Sequence, residues 1–301
     1  MEKKVLDWLL AGPAWLTYAV ESQLQDLKPD VAPVLQDPAV KNIVDRLKGS
    51  DAGIPAIKSG RVHYTDTGKA YWDLFFLADI GLSVKDLGLE KEAEEIFRFQ
   101  SADGSFTIPP NVRDNYFCMS AILLSSLAKM GYRDDPRIVK YARLALSSRT
   151  NAGGWNCYDS PEIDACPMDN LNVLMLLGQY SQFRRSPELR GSIDLLLEHW
   201  RVRANLHGFG VGRRFMSLQY PAIKYGILRV LDVLSLFPHA VAHPDFQSML
   251  DYVHNKAVDG RYFAEAFDSV YWGFDFAQDK ELSRWITFLV GRIDKRVESI
   301  K

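Results

Sequence analysis

A chain of 301 residues with 47% hydrophobic and 25% charged residues has ordinary globular composition, which excludes a disordered or fibrous protein. Its 36 basic residues face 38 acidic ones, so the chain offers no electrostatic footprint for nucleic acid. Three cysteines (Cys118, Cys157 and Cys166) are too few and too odd in number for a disulfide framework, and point to a reducing, cytoplasmic setting.

The first segment, "MEKKVLDWLLAGPAWLTYAVE", places Lys3 and Lys4 before an apolar run, as a signal peptide does. Asp7 interrupts that run, and apolar residues continue at helical spacing through Leu16, Val20 and Leu24. Two short amphipathic helices split at Gly12-Pro13 are expected, with no secretory or transmembrane segment.

From residue 70 onward two kinds of helical segment alternate. "AYWDLFFLADIG", "FCMSAILLSSLAKMG", "LNVLMLLGQYSQF", "YGILRVLDVLSLF" and "RWITFLVGRI" are strongly apolar. "DLGLEKEAEEIFRFQ", "DPRIVKYARLALSSR", "SPELRGSIDLLLEHW" and "HPDFQSMLDYVHNK" are amphipathic. A helix that is apolar on most sides must be buried, while one with a single apolar stripe lies outside against it. Strand-like alternation is scarce, so the expected class is all-α.

A glycine–aromatic turn follows each amphipathic helix: "QSADGSF", "RTNAGGW", "ANLHGF" and "NKAVDGRY". Their aromatics, Phe106, Trp155, Phe209 and Tyr262, stand 49, 54 and 53 residues apart. Units of similar length, each an apolar helix, a polar helix and a turn, signify an array of helical hairpins. Helices before residue 60 and a last one over 280–297 are placed to close it. The expectation is a single α/α-toroid domain over residues 1–301, a barrel of about five to six inner/outer helix pairs.

The turn "FQSADGSF", residues 99–106, resembles the Q-x-x-D-G-S-W turn of the squalene cyclase and prenyltransferase repeat family. "TNAGGWNC" and "AVDGRY" resemble degenerate copies of it, and the closing part of the chain is similar to short bacterial and archaeal members without an assigned activity. The resemblance spans residues 60–297. It implies an α/α toroid with an apolar, isoprenoid ligand inside the ring, and a transferase or cyclase-like activity where one is present.

In such a ring the turns lead from outer to inner helices, so the inner-helix N-termini gather at one mouth. Residues 65–67, 113–115, 164–168, 220–224 and 282–284 are expected there. Converging N-termini, each worth about half a positive charge, favour an anionic group. Tyr71, Trp72, Trp155, Tyr158, Tyr220, Tyr225 and Trp272 are candidate ligand-binding aromatics, able to stabilise a cationic intermediate. The plainer reading of each is core packing.

Cys166-Pro167 opens an inner helix, with proline at its first position and Cys166 as N-cap. A thiol there feels the helix N-terminus, which favours thiolate. Protein prenyltransferases of this fold hold catalytic zinc with a D-x-C pair after a G-G-F turn; here "GGWNCYDSPEIDAC" supplies G-G-W and then Asp164-Ala165-Cys166. The resemblance therefore implies zinc ligands at Asp164 and Cys166, with Cys157 as a further one, leaving one position open as catalytic zinc requires. The family's histidine ligand has no counterpart in the later repeats, and His207 is the nearest substitute. An inert or low-pKa cysteine pair is the alternative.

The D-x-D-D acid of the cyclases is absent, and the aspartates of "YRDDPR", residues 132–137, read as a cap. Asp164 or Asp169 can serve as a general acid if buried. Arg213 and Arg214 in "HGFGVGRRF" can grip a phosphate, with a solvated charge pair as the simpler reading. No G-x-S-x-G elbow, phosphate-cradling loop or Rossmann fingerprint is present. Two functions stay open: an isoprenoid-acting enzyme or enzyme-like protein, and a non-catalytic binding barrel that lost the chemistry. A zinc–thiolate enzyme unrelated to isoprenoids is a third.

Overall fold

Proline at the first helical position and a polar residue just before it set where several of the helices begin. The structure, a computed structural model, describes residues 1–109, 117–151, 153–156, 164–203, 208–222, 225–277 and 281–300. Helices dominate, as the periodicity requires. The only named strands among the described residues are Tyr262–Phe263 and Leu282–Ser283, paired antiparallel.

In chain order the longer helices are α1 (Lys3–Leu10), α2 (Ala14–Gln23), α3 (Pro38–Lys48), α4 (Ala70–Ile80), α5 (Glu90–Phe97) and α6 (Phe117–Leu127). They continue with α7 (Pro136–Ser147), α8 (Pro167–Leu177), α9 (Arg190–Arg201), α10 (Ile227–Leu234), α11 (Pro244–His254) and α12 (Arg284–Ile300). The chain divides into two compact units, Val31–Phe183 and Met1–Asp30 with Arg184–Lys301.

In the unit Val31–Phe183, α4, α6 and α8 are buried at every residue. The intervening α5 and α7 bury one stripe each, with Ala93, Ile96 and Phe97 on the first and Ile138, Tyr141, Ala142 and Ala145 on the second. This is the alternation of inner and outer helices that the sequence announces. α6 packs against both α4 and α8, and each large apolar side chain so buried contributes roughly 1.5–3 kcal/mol.

The turn at residues 99–106 is knit by its motif residues. Gln100 Nε2 donates to the carbonyls of Gly104 (3.1 Å) and Arg137 (2.9 Å), tying the turn to the next outer helix. Asp103 Oδ1 accepts from the Ser105 amide and hydroxyl, and Gly104 takes φ +106°, where a side chain is strained. Phe106 inserts edge-on against Tyr141. Asp135 caps α7 by accepting from the Arg137 amide at 2.8 Å, so the second aspartate of "YRDDPR" is a cap.

Two carboxylates enter this core with dedicated cations. Asp73 and Asp79 of α4 are both buried. Arg46 of α3 forks onto Asp73, Nε to Oδ2 at 2.5 Å and Nη2 to Oδ1 at 2.8 Å, while Lys129 reaches Asp79 Oδ1 at 2.7 Å.

In the other unit α10 is the buried helix, packed against α11 and α12. Arg292 and Arg296 of α12 share Asp232 Oδ1 of α10, each at 2.9 Å. Asp275 Oδ1 accepts from the Trp285 amide and the Ser283 hydroxyl, which fixes the start of α12. Tyr220, Tyr271, Phe274, Phe276 and Trp285 form an aromatic core with Trp15 of α2. No described helix is long and apolar enough to cross a membrane.

Removing the cation from a buried pair strands a charge, whereas removing both partners does not. Arg46→Ala is expected to cost about 3–5 kcal/mol in urea unfolding, and Arg46→Met/Asp73→Leu much less than the single change. In the second unit the hydrogen bond to Asp294 (2.9 Å) holds the His254 pKa above its ordinary value, against the opposing effect of burial. A raised folded-state pKa stabilises below the unfolded value of about 6.5 and is lost as pH rises through the folded value. The Tm advantage of the native chain over His254→Gln should therefore be largest near pH 5.5 and fade by about pH 8. An advantage that grows with pH would contradict this linkage.

Candidate functional site

Polar side chains recur at the same early positions of the three fully buried helices. Tyr71 and Asp73 are the second and fourth residues of α4; Cys118 and Ser120 are the second and fourth of α6; Asp169 and Asn170 are the third and fourth of α8. Each is at or near zero exposure. For α4 and α8, whose N-caps are Lys69 and Cys166, these positions lie in the first turn, where polar groups meet the positive end of the dipole.

The glycine–aromatic turn places the head of α8 directly. The Thr150 amide donates to the Gly154 carbonyl at 2.7 Å, and Trp155 is pinned by its indole N–H on the Ala145 carbonyl, also at 2.7 Å. The Trp155 carbonyl in turn accepts from the Cys166 amide at 2.7 Å and from Asn170 Nδ2 at 3.3 Å. A Cβ on Gly154 would come within 2.5 Å of Ala165 Cβ, so the close approach needs glycine there. At the head of α6, the Cys118 carbonyl accepts from Asn172 Nδ2 of α8 at 3.1 Å.

Four of these groups act on one another. Tyr141 reaches in from α7 and shares a hydrogen bond with Ser120 Oγ at 2.6 Å. Burial pushes the Tyr141 phenol far above the ordinary range; the Ser120 bond opposes this, and Asp169 and Cys118 add to it. Burial likewise pushes up the Tyr71 phenol, with Cys118 adding to the effect. Electrostatic coupling thus links Tyr71 of α4 to Cys118 of α6, and Tyr141 of α7 to Cys118 and to Asp169 of α8, and these four are taken together as the candidate cluster. Both phenols stay protonated at neutral pH and serve as hydrogen-bond donors or acceptors.

Tyr71 stands apart, because its hydroxyl has no hydrogen-bond partner. The Ser125 hydroxyl shares that condition, and it lies two helical turns beyond Cys118 on the same face of α6. Unmet buried polar groups are uncommon and mark places where a further partner is due. A buried carboxyl, a thiol and two phenols among apolar helices can bind the polar end of a largely apolar molecule, and Asp169 can hold or deliver a proton there.

The sequence-derived candidates divide between the two units. Asp169, Tyr71, Trp72, Trp155, Cys166 and Asp164 lie in the unit Val31–Phe183; Tyr220, Tyr225, Arg213 and Arg214 lie in the other. Asp169 and Tyr71 belong to the cluster. Asp164 is exposed, so of the two aspartates named as acids only Asp169 meets the condition of burial. Cys166 is the half-buried N-cap of α8, as its proline neighbour predicts. Trp72 and Trp155 give their indole N–H groups to the carbonyls of Tyr64 and Ala145. Tyr225 packs on Phe209 and Phe215, Tyr220 on Phe276 and Trp285, and Trp272 is 73% exposed. Arg213 and Arg214 are exposed on the short helix Gly212–Met216. Cys157, Tyr158 and His207 lie outside the described residues. Among the described residues no group of three or more His, Cys, Asp or Glu side chains is placed to hold a metal.

Cys118 and Tyr141, with the Ser120 hydroxyl that bonds Tyr141, are absent from the sequence-derived candidates. A usable signal existed, since Cys118 occupies the same register position in α6 as Tyr71 does in α4. No protein-family model matches the chain, and no curated protein matches it in sequence.

A buried hydroxyl without a partner costs about 1–3 kcal/mol relative to its absence. Tyr71→Phe, which keeps the ring, should therefore leave the ligand-free protein at least as stable as the native one, and about 1 kcal/mol more stable where the orphan penalty is felt. Urea unfolding in the absence of added ligand measures it. A loss above about 1 kcal/mol would show that the hydroxyl is satisfied and would remove it from the site.

Proposed function

We propose that this chain is an α/α-toroid protein of the prenyltransferase and squalene cyclase repeat kind, binding an apolar, isoprenoid ligand against the heads of α4, α6 and α8. The observation that carries the reading is the Tyr71 hydroxyl, buried and without a hydrogen-bond partner on a helix buried along its whole length. Inner and outer helices alternate as the repeat family's do, and the 99–106 turn uses its Gln, Asp, Gly and Ser as a structural knot, which supports the same family.

Asp169 gives the site the means for more than binding. A buried carboxyl at a helix head is placed to exchange a proton with a bound group. With Tyr141 and Cys118 beside it, it can protonate or hydrogen-bond a group presented at the helix heads. An enzyme-like protein follows if Asp169 transfers that proton, and a non-catalytic binding protein if it does not.

Binding of a ligand to the folded state alone raises its stability by about 2.7 kcal/mol at a hundredfold excess over Kd. Thermal melts with farnesol, geranylgeraniol and squalene should therefore shift upward in a concentration-dependent way, and straight-chain alkanes of equal length should shift them less. Failure of every isoprenoid to move the melt would end the proposal. The same preparation, purified without an affinity tag, tests the D-x-C pair. Near-stoichiometric zinc that disappears in Cys157→Ala/Cys166→Ala would relocate the chemistry to Asp164, Cys166, Cys157 and His207.

A further inference from the structure

Resting on the isoprenoid-binding reading, we infer that the polar end of the ligand is an uncharged oxygen, as in an alcohol, ether or carbonyl, which accepts a hydrogen bond from Tyr71, and is not a diphosphate. The geometry supplies one donor for it. Tyr71 sits at the second position of α4 with its hydroxyl buried and without a hydrogen-bond partner. A phenol O–H is a single neutral donor, matched to one acceptor oxygen.

The surroundings favour a neutral partner over an anion. A helix N-terminus supplies about half a positive charge, which attracts anions when nothing else answers it. Here the first turns of α4 and α8 already hold Asp73 and Asp169. Arg46 and Lys129, on the same helical bundle, are engaged by Asp73 and Asp79. A diphosphate would bring two or more further negative charges to this place, whereas an alcohol or carbonyl brings only a lone pair. Binding an uncharged oxygen also satisfies the Tyr71 hydroxyl, which the ligand-free protein leaves unmet.

The test uses three C20 probes that share one chain: geranylgeraniol, geranylgeranyl diphosphate and the corresponding hydrocarbon without oxygen. Affinities are taken from ligand-dependent thermal shifts and confirmed by calorimetry, on the full chain and on Tyr71→Phe. The expected order for the native protein is alcohol first, then hydrocarbon, then diphosphate. Tyr71→Phe should weaken the alcohol about fivefold, the value of one neutral hydrogen bond, and leave the hydrocarbon unchanged. A diphosphate that binds as tightly as the alcohol, or an alcohol whose affinity Tyr71→Phe does not alter, overturns the inference while sparing the isoprenoid reading. No binding of any of the three overturns that reading itself. Should Tyr71→Phe fail to fold, the ranking of alcohol against diphosphate on the native protein still decides.

Discussion

A helix buried on every side obliges each polar group it carries to find a partner inside the protein, and three such helices stand side by side in the unit Val31–Phe183. In α4, α6 and α8 every residue is buried, so the polar residues there are the ones whose presence must be explained. Asp73 and Asp79 are met by Arg46 and Lys129, Ser126 turns back to the Ile122 carbonyl, and Asn172 crosses to the Cys118 carbonyl. These contacts hold the helices in register. What the scheme leaves over is confined to a few atoms, the hydroxyls of Tyr71 and Ser125 among them. Among the described residues of these helices, the candidate site is the remainder of that hydrogen-bond inventory.

The glycine–aromatic turns serve that same inventory. Around Trp155 one carbonyl anchors both the Cys166 amide and the Asn170 side chain, so the turn that ends an outer helix also positions the first residues of α8. Around Phe106 the Gln100 side chain ties the turn to α7, the helix that carries Tyr141 into the cluster. The recurrent motif is therefore a device for placing helix heads. Residues at those heads inherit a fixed geometry from it, and Asp169 and Tyr141 receive their positions from elements that are themselves locked by backbone hydrogen bonds.

Legibility in the sequence followed the range of the interaction. Helix type depends on residues three and four apart, so the buried and striped helices, and the caps at Asp135 and Cys166, could be read directly. The turn chemistry of residues 99–106 is equally local. The Arg46–Asp73 fork joins residues 27 apart and the Lys129–Asp79 pair residues 50 apart, and nothing in the local pattern names either partner. Cys118 was passed over because a cysteine within "FCMSAILLSSL" looks like one more small apolar residue. Asp164 and Asp169 are alike in sequence, and burial alone separates them.

The composition of the cluster also constrains the chemistry it can perform. An electrophilic site for a charged leaving group needs fixed cations or a metal, because only these compensate charge that develops on phosphate oxygens. A carboxyl, a thiol and two phenols supply protons and hydrogen bonds instead. Groups of this kind are suited to hydrogen-bonding an uncharged oxygen and to exchanging protons with it. Burial reinforces this, since low local polarity strengthens a hydrogen bond that the Tyr71 hydroxyl would make. The fully buried helices and the protonic cluster at their heads are therefore two aspects of one constraint. The absence of a wet face makes the few remaining polar atoms both costly to leave unmet and effective when a ligand meets them.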